Sequence, residues 1–324
     1  MDVAGTAFRP HQADVRFRRL PIAVRTAAIK SALAAALLAS GLPAESRVDR
    51  NVVYGMYSGL ALLMDIHHPD QPNGIGLIHV SGSGWSAPLS LDARPLKEAG
   101  HVRIEALPLV QRGYTVFTVN HRATPRFQYP AAVEDVQRAV RFVRFHAARF
   151  GIDPDRIGAI GGSSGGHLVS MLGVLPGEGD SRAESEIDRV SAKVQCVVAR
   201  ATPSDFVASA AASGASSLLL GIRLRPGADP SSPEMRIARA ASPITHVTAD
   251  DPPLLLVHGD QDDIVPYALS ERFRERLVEA GVSTDLIKVS GARHGPGFPG
   301  AEQAPDMGRW AGEWFDAHLL SKQR

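Results

Sequence analysis

The chain has 324 residues, of which 44% are hydrophobic and 21% are charged, and its formal net charge is +1. This is the composition of a globular protein, and the balanced charge argues against a nucleic-acid-binding surface. Its single cysteine, Cys196, excludes an intramolecular disulfide and a cysteine-based zinc site. Because Cys196 lies in an apolar run, it is predicted to be a buried small hydrophobe rather than a catalytic thiol.

Residues 1–50 differ from the rest, being basic at first and then rich in alanine and leucine. They fit either an export signal for secretion or the periplasm, or an amphipathic helix that a cytoplasmic protein retains. The long basic stretch and a poor cleavage site after Ala44, with Leu42 at a small-residue position, favour the helix. No run reaches the ~18 apolar residues of a membrane span, so none is predicted.

From residue 51 onward, short apolar runs alternate with longer amphipathic ones. The apolar runs predict strands at 74–80, 114–120, 156–160, 192–200, 252–259 and 284–290. The amphipathic runs predict helices within 91–113, 130–151, 165–173, 267–281 and 306–320. This alternation predicts one α/β domain over residues 51–324, a mostly parallel sheet with helices on both faces.

Residues 206–240 interrupt the alternation with a long stretch rich in alanine, serine, glycine and proline. The stretch is too long for a simple connection, which favours a small helical lid or cap insertion over a disordered linker. Such an insertion would lie over the carboxyl edge of the sheet, where open α/β sheets bind ligands. Its apolar run at 217–222 would otherwise be exposed to water.

The run 161–166 holds two adjacent serines, Ser163 and Ser164, and each has glycines two positions before and after it. A glycine-rich turn between a strand and a helix either cradles phosphate or carries a nucleophile. The run matches neither a dinucleotide-binding nor a P-loop pattern, which favours the nucleophile. Both serines fit the Gly-x-Ser-x-Gly pattern, so the pattern alone leaves the choice between them open.

A serine nucleophile needs a base and an acid to orient that base, and in α/β-hydrolases the chain order is serine, acid, histidine. Three aspartates follow the strand at 252–259, namely Asp260, Asp262 and Asp263, and all three remain candidates. His294 follows the next strand on a glycine-rich loop and is the candidate base. The chain has no HExxH or other metal-binding spacing, so no metal is predicted.

A second glycine-rich loop, SGSGW at 81–85, follows the strand at 74–80. In this type of fold the N–H groups of such a loop, with the N–H after the nucleophile, stabilise an oxyanion. The alternative is an ordinary glycine and serine turn. If the loop is an oxyanion loop, Trp85 lies beside it and would form a bulky wall of the substrate pocket, provided that its side chain faces inward.

With these motifs the chain resembles the α/β-hydrolase esterases of the hormone-sensitive-lipase-like and feruloyl/acetyl-xylan-esterase-like groups, from about residue 52 onward. The resemblance is carried by the segment that leads into GGSSGGHL, by the acid segment LLLVHGDQDDIVP and by the histidine loop GARHG. It implies an α/β-hydrolase fold in which Ser163 is the nucleophile, Asp262 the acid and His294 the base. Ser164 matches the small residue whose N–H joins the oxyanion hole.

The chain departs from these groups in the oxyanion loop, where SGSGW stands in place of HGGGW and leaves the N–H groups of Ser83 and Gly84 as donors. It also has RATPSDF at 200–206 in place of YGPTDL. The resemblance implies a serine esterase that acts on small ester substrates without a cofactor. The small residues and prolines of 206–240 cannot build a long apolar groove, so short acyl chains, from acetyl to about hexanoyl, are predicted to be the best substrates. A serine amidase, arylformamidase or peptidase is the nearest alternative, and a non-catalytic binding protein on the same fold is the alternative of another class.

Overall fold

The computed structural model describes residues 47–208, 214–225 and 227–320. The two interpretations of the N-terminal segment, a retained helix and an export signal, therefore concern residues outside the described part. In the described residues no helix is both long enough and apolar enough to cross a membrane.

An eight-stranded sheet with the order β1-β2-β4-β3-β5-β6-β7-β8 forms the centre of the fold. Its strands are β1 (Val48–Tyr57), β2 (Leu60–His67), β3 (Gly76–Val80), β4 (Thr115–Val119), β5 (Ile157–Gly162), β6 (Cys196–Arg200), β7 (Leu254–Gly259) and β8 (Thr284–Val289). Strands β3 to β8 are all parallel to one another, whereas β2 pairs antiparallel with both β1 and β4. The predicted mostly parallel sheet is confirmed.

Helices pack on both faces of this sheet. In the described residues the α-helices are α1 (Leu107–Gln111), α2 (Ala131–Phe145), α3 (Ala147–Phe150), α4 (Ser164–Val174), α5 (Gly214–Leu220), α6 (Pro233–Ala241), α7 (Ala268–Glu279) and α8 (Met307–Phe315). Buried residues of α2, α4 and α7 form one apolar cluster, and those of α1 and α8 form another. Consecutive residues of one strand, such as Leu77 and Ile78, belong to different clusters because side chains alternate across a strand.

Two parts of the fold differ from the predicted elements. The hairpin of β1 and β2 was not predicted, and it precedes the first strand that was. In residues 91–113 the structure has a 3₁₀ turn at Leu96–Glu98, a π-helix at Val102–Ala106 and only then α1. Pro108 lies just after the π-helix and has no N–H to donate to the preceding turn, which favours an irregular backbone there.

The parallel strands place their carboxyl ends at one edge of the sheet, and the loops that follow β3, β5, β7 and β8 meet there. Residues 206–240 contribute α5 and α6, with residues 209–213 and 226 outside the described part. Ala215 and Ser216 of α5 line a pocket together with Ser163.

Candidate active site

Ser163 lies at a sharp turn between β5 and α4. Its φ of 55° and ψ of −123° are a strained combination for a residue with a side chain. The turn also brings backbones close together, since a Cβ on Gly161 would lie 2.6 Å and one on Gly165 2.0 Å from the carbonyl oxygen of Val80. The N–H of Ser163 donates to the carbonyl of Arg200 at 2.8 Å. Ser163 thus occupies a strained turn that directs its side chain out of the sheet edge.

The structure brings Ser163, His294 and Asp262 into one chain of hydrogen bonds. The distance from Ser163 Oγ to His294 Nε2 is 2.9 Å, and that from His294 Nδ1 to Asp262 Oδ2 is 2.7 Å. Because a carboxylate only accepts hydrogen bonds, His294 donates its Nδ1–H to Asp262 and leaves Nε2 as the acceptor of the serine proton. This is the geometry in which an imidazole activates a hydroxyl.

Asp262 is held as an ionised carboxylate. Its side chain is 1% exposed, and burial alone would raise its pKa. Hydrogen bonds from His258 and His294, and from the N–H groups of Ile264 and Val265, outweigh burial and hold the pKa of Asp262 well below its usual range. Asp262 can therefore balance the charge of an imidazolium next to it.

The other two candidate aspartates have different positions. Asp260 accepts a hydrogen bond from the N–H of Gly291 at 2.8 Å and so joins the loops that follow β7 and β8. Asp263 is exposed. The structure therefore brings only Asp262 of the three into contact with His294.

A second histidine, His258 at the end of β7, contacts the same carboxylate and was not predicted to do so. Its Nε2 lies 3.1 Å from Asp262 Oδ2 and 3.0 Å from the carbonyl oxygen of Val265. Both partners are acceptors, so Nε2 carries the proton. Its Nδ1 lies 2.7 Å from Ser270 Oγ, which fixes the ring from the other side. Asp262 is thus oriented by two imidazoles.

The predicted oxyanion donors lie around Ser163, and one of them already has a partner. The N–H of Ser83 donates to Ser164 Oγ at 2.8 Å. Ser164 is the first residue of α4, so its own N–H has no acceptor within the helix. Gly84 lines the pocket beside Ser163 and has a φ of 62°.

Trp85 lines the pocket, and a hydrogen bond to His167 fixes the orientation of its ring. Its indole N–H donates to His167 Nδ1 at 3.0 Å, and His167 Nε2 lies 2.8 Å from the carbonyl oxygen of Ala241 at the end of α6. Burial lowers the pKa of His167 to about 4, so the ring is neutral near pH 7. Phe206 packs against both rings. His167 therefore connects the oxyanion loop with the end of the insertion.

A mostly apolar pocket of about 90 Å³ opens beside the Ser163 hydroxyl. It is lined by Gly84, Trp85, Ser163, Pro203, Ala215, Ser216, Ile264, Val265, Pro266 and Leu269. Trp85 thus lies where the sequence predicted a pocket wall. In the described part of the chain, no group of three or more histidine, cysteine, aspartate or glutamate side chains could hold a metal ion.

The strand order, the strained serine turn and the hydrogen-bonded Ser163, His294 and Asp262 define an α/β-hydrolase fold of the serine-hydrolase type. Comparison with known families agrees, since residues 64–277, more than half of the chain, match the BD-FAE family model. The chain belongs to the BD-FAE family.

Solved structures and curated relatives are consistent with this assignment. A carbohydrate esterase from gut microbiota is 28% identical with a TM-score of 0.69, and the alignment covers 86% of this chain and 99% of that one. An acetyl ester-xyloside bifunctional hydrolase from Caldicellulosiruptor lactoaceticus is 25% identical with the same TM-score, over 86% and 98% of the chains. The probable carboxylic ester hydrolase LipM of Mycobacterium tuberculosis is 30% identical over 71% of this chain and 51% of its own length. The chain spans about half the length of the curated relatives that it matches.

Proposed function

We propose that this protein is a serine esterase that cleaves carboxylic esters of short acyl chains through an acyl-enzyme intermediate. The observation that carries the proposal is the hydrogen-bonded chain from Ser163 through His294 to Asp262. Related proteins named as esterases and carboxylic ester hydrolases support the same reaction. The small apolar pocket beside Ser163 supports a short acyl group.

The reaction begins when Ser163 Oγ attacks the ester carbonyl and His294 Nε2 takes the hydroxyl proton. Asp262 keeps the ring in the required tautomer and stabilises the imidazolium that forms. When the tetrahedral intermediate collapses, His294 returns the proton to the departing alcohol. A water molecule activated by His294 then attacks the acyl-enzyme and releases the acid.

The N–H groups of Ser164, Ser83 and Gly84 stabilise the oxyanion of each tetrahedral intermediate. The Ser83 N–H first has to leave Ser164 Oγ, which is an uncharged acceptor. An oxyanion is the stronger partner, because hydrogen bonds to charged groups are roughly twice as strong as neutral ones. In this scheme the Ser164 side chain holds the donor in place until the substrate arrives.

The experiment that tests the proposal combines ester hydrolysis with covalent labelling by a serine-reactive phosphonate. We expect the wild-type protein to hydrolyse p-nitrophenyl acetate and butyrate and to gain one phosphonate on Ser163, located by peptide mass spectrometry. Ser163→Ala should lose the label and on the order of 10⁴-fold or more of kcat. Ser164→Ala is the matched control, since it keeps its backbone N–H and most of the activity.

The same experiment separates the alternatives. An inert wild-type protein that takes no label would favour a non-catalytic binding protein. Faster cleavage of matched anilides and formanilides than of esters would favour an amidase or arylformamidase. Loss of labelling in Ser164→Ala rather than in Ser163→Ala would show that the wrong serine is assigned. Acetylated sugars belong in the ester panel, because two structural neighbours are named for carbohydrate or xyloside esters.

A further inference from the structure

A buried ion pair lies next to the site, between Arg200 at the end of β6 and Glu105 in the π-helix. The two side chains are 1% and 0% exposed, and Arg200 Nε donates to Glu105 Oε1 at 2.7 Å. His79 Nε2 lies 3.1 Å from the other carboxylate oxygen. Burying both charges carries a large desolvation cost, so such a pair is weak evidence of a stabilising role. The contacts of this ion pair with the catalytic loops explain its presence better than a contribution to stability does.

The remaining nitrogens of the Arg200 guanidinium reach toward two different loops of the site. Nη1 donates to the carbonyl of Gly295, the residue directly after His294, at 3.2 Å. Nη2 lies 3.1 Å from His101 Nδ1, which also accepts the N–H of Gly82 in the oxyanion loop at 3.2 Å. Two donors, the Gly82 N–H and Arg200 Nη2, lie within hydrogen-bond distance of His101 Nδ1, whereas Glu105 Oε1 is farther away at 3.6 Å, so this nitrogen acts as the acceptor. One planar group thus connects the histidine loop with the oxyanion loop.

The same cluster packs directly against the nucleophile turn. A Cβ on Gly162 would lie 2.1 Å from Arg200 Nη2, and a Cβ on Gly82 would lie 2.5 Å from His101 Cε1 and 3.0 Å from the Ser163 Cβ. The backbone carbonyl of Arg200 accepts the N–H of Ser163. Arg200 therefore contacts the segments that carry the nucleophile and the base directly, and it reaches the oxyanion loop through His101.

We propose that Arg200 is a positioning residue that fixes the spacing between the oxyanion loop and the His294 loop through Gly295 and His101, with Glu105 as its anchor. This inference rests on the proposed esterase function of the site. It requires arginine, because a guanidinium offers donors in a rigid planar fork whereas an ammonium is a single point charge. Arg200 does not line the pocket beside Ser163, and its effect on the reaction passes through the two loops.

The test is Arg200→Lys, which keeps a positive charge opposite Glu105 but cannot reach Glu105, Gly295 and His101 together. We expect a folded protein with a lowered thermal midpoint, kcat lower by on the order of 10²-fold and KM nearly unchanged, since small displacements of catalytic groups have effects of that size. The rates are normalised to serines titrated with the phosphonate. Wild-type kcat in Arg200→Lys would overturn the proposal.

Arg122→Lys is the matched control, because Arg122 also pairs with a buried carboxylate, Asp135, and its other hydrogen bonds go to Ala131 and Glu134 rather than to the loops in question. We expect it to lower the thermal midpoint while kcat per titrated serine stays at the wild-type value. An equal loss of kcat in Arg122→Lys would mean that any damaged buried pair slows the enzyme, and would also overturn the proposal.

A double variant, Arg200→Met with Glu105→Gln, covers the case in which Arg200→Lys does not fold. It removes both charges together, so no unpaired charge stays buried. We expect it to fold and to show the same low kcat, whereas a wild-type kcat would overturn the positioning role. If the wild-type protein itself neither hydrolyses esters nor takes the phosphonate, the proposed function fails instead, so the two failures are distinguishable.

Discussion

Replacing Ala215 by leucine should shorten the acyl chain that the enzyme prefers. Ala215 lines the pocket beside Ser163, and its Cβ lies 3.5 Å from where a Cβ on Gly84 would be. The pocket measures about 90 Å³, and one water-sized group needs about 10–15 Å³ by the same measure, so it holds roughly six to nine such groups. An acyl chain from acetyl to about hexanoyl fits within this space, and dodecanoyl does not.

Each methylene that enters the pocket contributes about 0.8 kcal/mol, which is about fourfold in kcat/KM. In the wild type, kcat/KM should therefore rise about fourfold per carbon until the pocket is full and then fall. Leucine adds three carbons to the alanine side chain, so the optimum in Ala215→Leu should move about three carbons shorter. The assay is kcat/KM for p-nitrophenyl esters from acetyl to dodecanoyl.

Ser217→Leu is the control for this substitution, because Ser217 lies on the same helix but lines a different groove, together with Leu218. It should leave the chain-length optimum unchanged. A wild-type preference for dodecanoyl or longer esters would refute the pocket argument, and so would an unchanged optimum in Ala215→Leu. Neither result would affect the roles proposed for Ser163, His294 and Asp262.

Two further predictions concern pH. Asp262→Asn should lose on the order of 10⁴-fold in kcat while staying folded. When the chemical step limits the rate, kcat/KM of the wild type should rise with pH across the range in which histidines lose their proton, about pH 5 to 8. A flat profile would count against a histidine base. Because the pKa of His167 is about 4 in the folded state against the ordinary 6.5, the unfolded chain binds more protons between these values. The share of stability that depends on neutral His167 should therefore be fully present above pH 6.5 and fall by on the order of 3 kcal/mol toward pH 4. Burial also lowers the pKa of His67 to about 4, so the total fall measured by urea unfolding should be larger. His167→Gln should show a smaller fall, and an equal fall in both proteins would contradict the assignment.

The core strands were predictable because each is a short apolar run between helix-like segments. The hairpin was missed because β1 mixes charged and apolar residues and has one exposed face, so its pattern resembles a loop. A turn signal was nevertheless present in the sequence, because the dipeptide Ser58-Gly59 is typical of turns. In the structure these two residues form the two-residue hairpin turn, and both have positive φ. The irregular helix at 91–113 was not predictable from periodicity, because a π-turn changes the period at which side chains share a face.

In the site, chain order and strand ends identified His294, and the resemblance to known esterases selected Ser163 and Asp262. Neither source of information identified Arg200 and Glu105, which lie next to the catalytic loops. Arg200 and Glu105 are 95 positions apart and meet only because the sheet and the π-helix are folded. A local pattern carries no signal for such a contact. The replacement of the usual YGPTDL by RATPSDF did mark the segment 200–206 as unusual, although it did not indicate which residues Arg200 would contact.

The run of four glycines around the two serines serves two separate purposes. Gly161 and Gly165 allow the nucleophile turn to pass the carbonyl of Val80, which any side chain there would block. Gly162 leaves room for the guanidinium of Arg200, and a Cβ on Gly166 would lie 2.7 Å from the carbonyl oxygen of the same arginine. Gly162 therefore makes room for the side chains of the Arg200–Glu105 pair, since a Cβ there would also lie 2.6 Å from Glu105 Oε1, whereas Gly166 makes room for the backbone of β6. A family member that lacks both side chains of the pair could replace Gly162 but would still need the other three glycines.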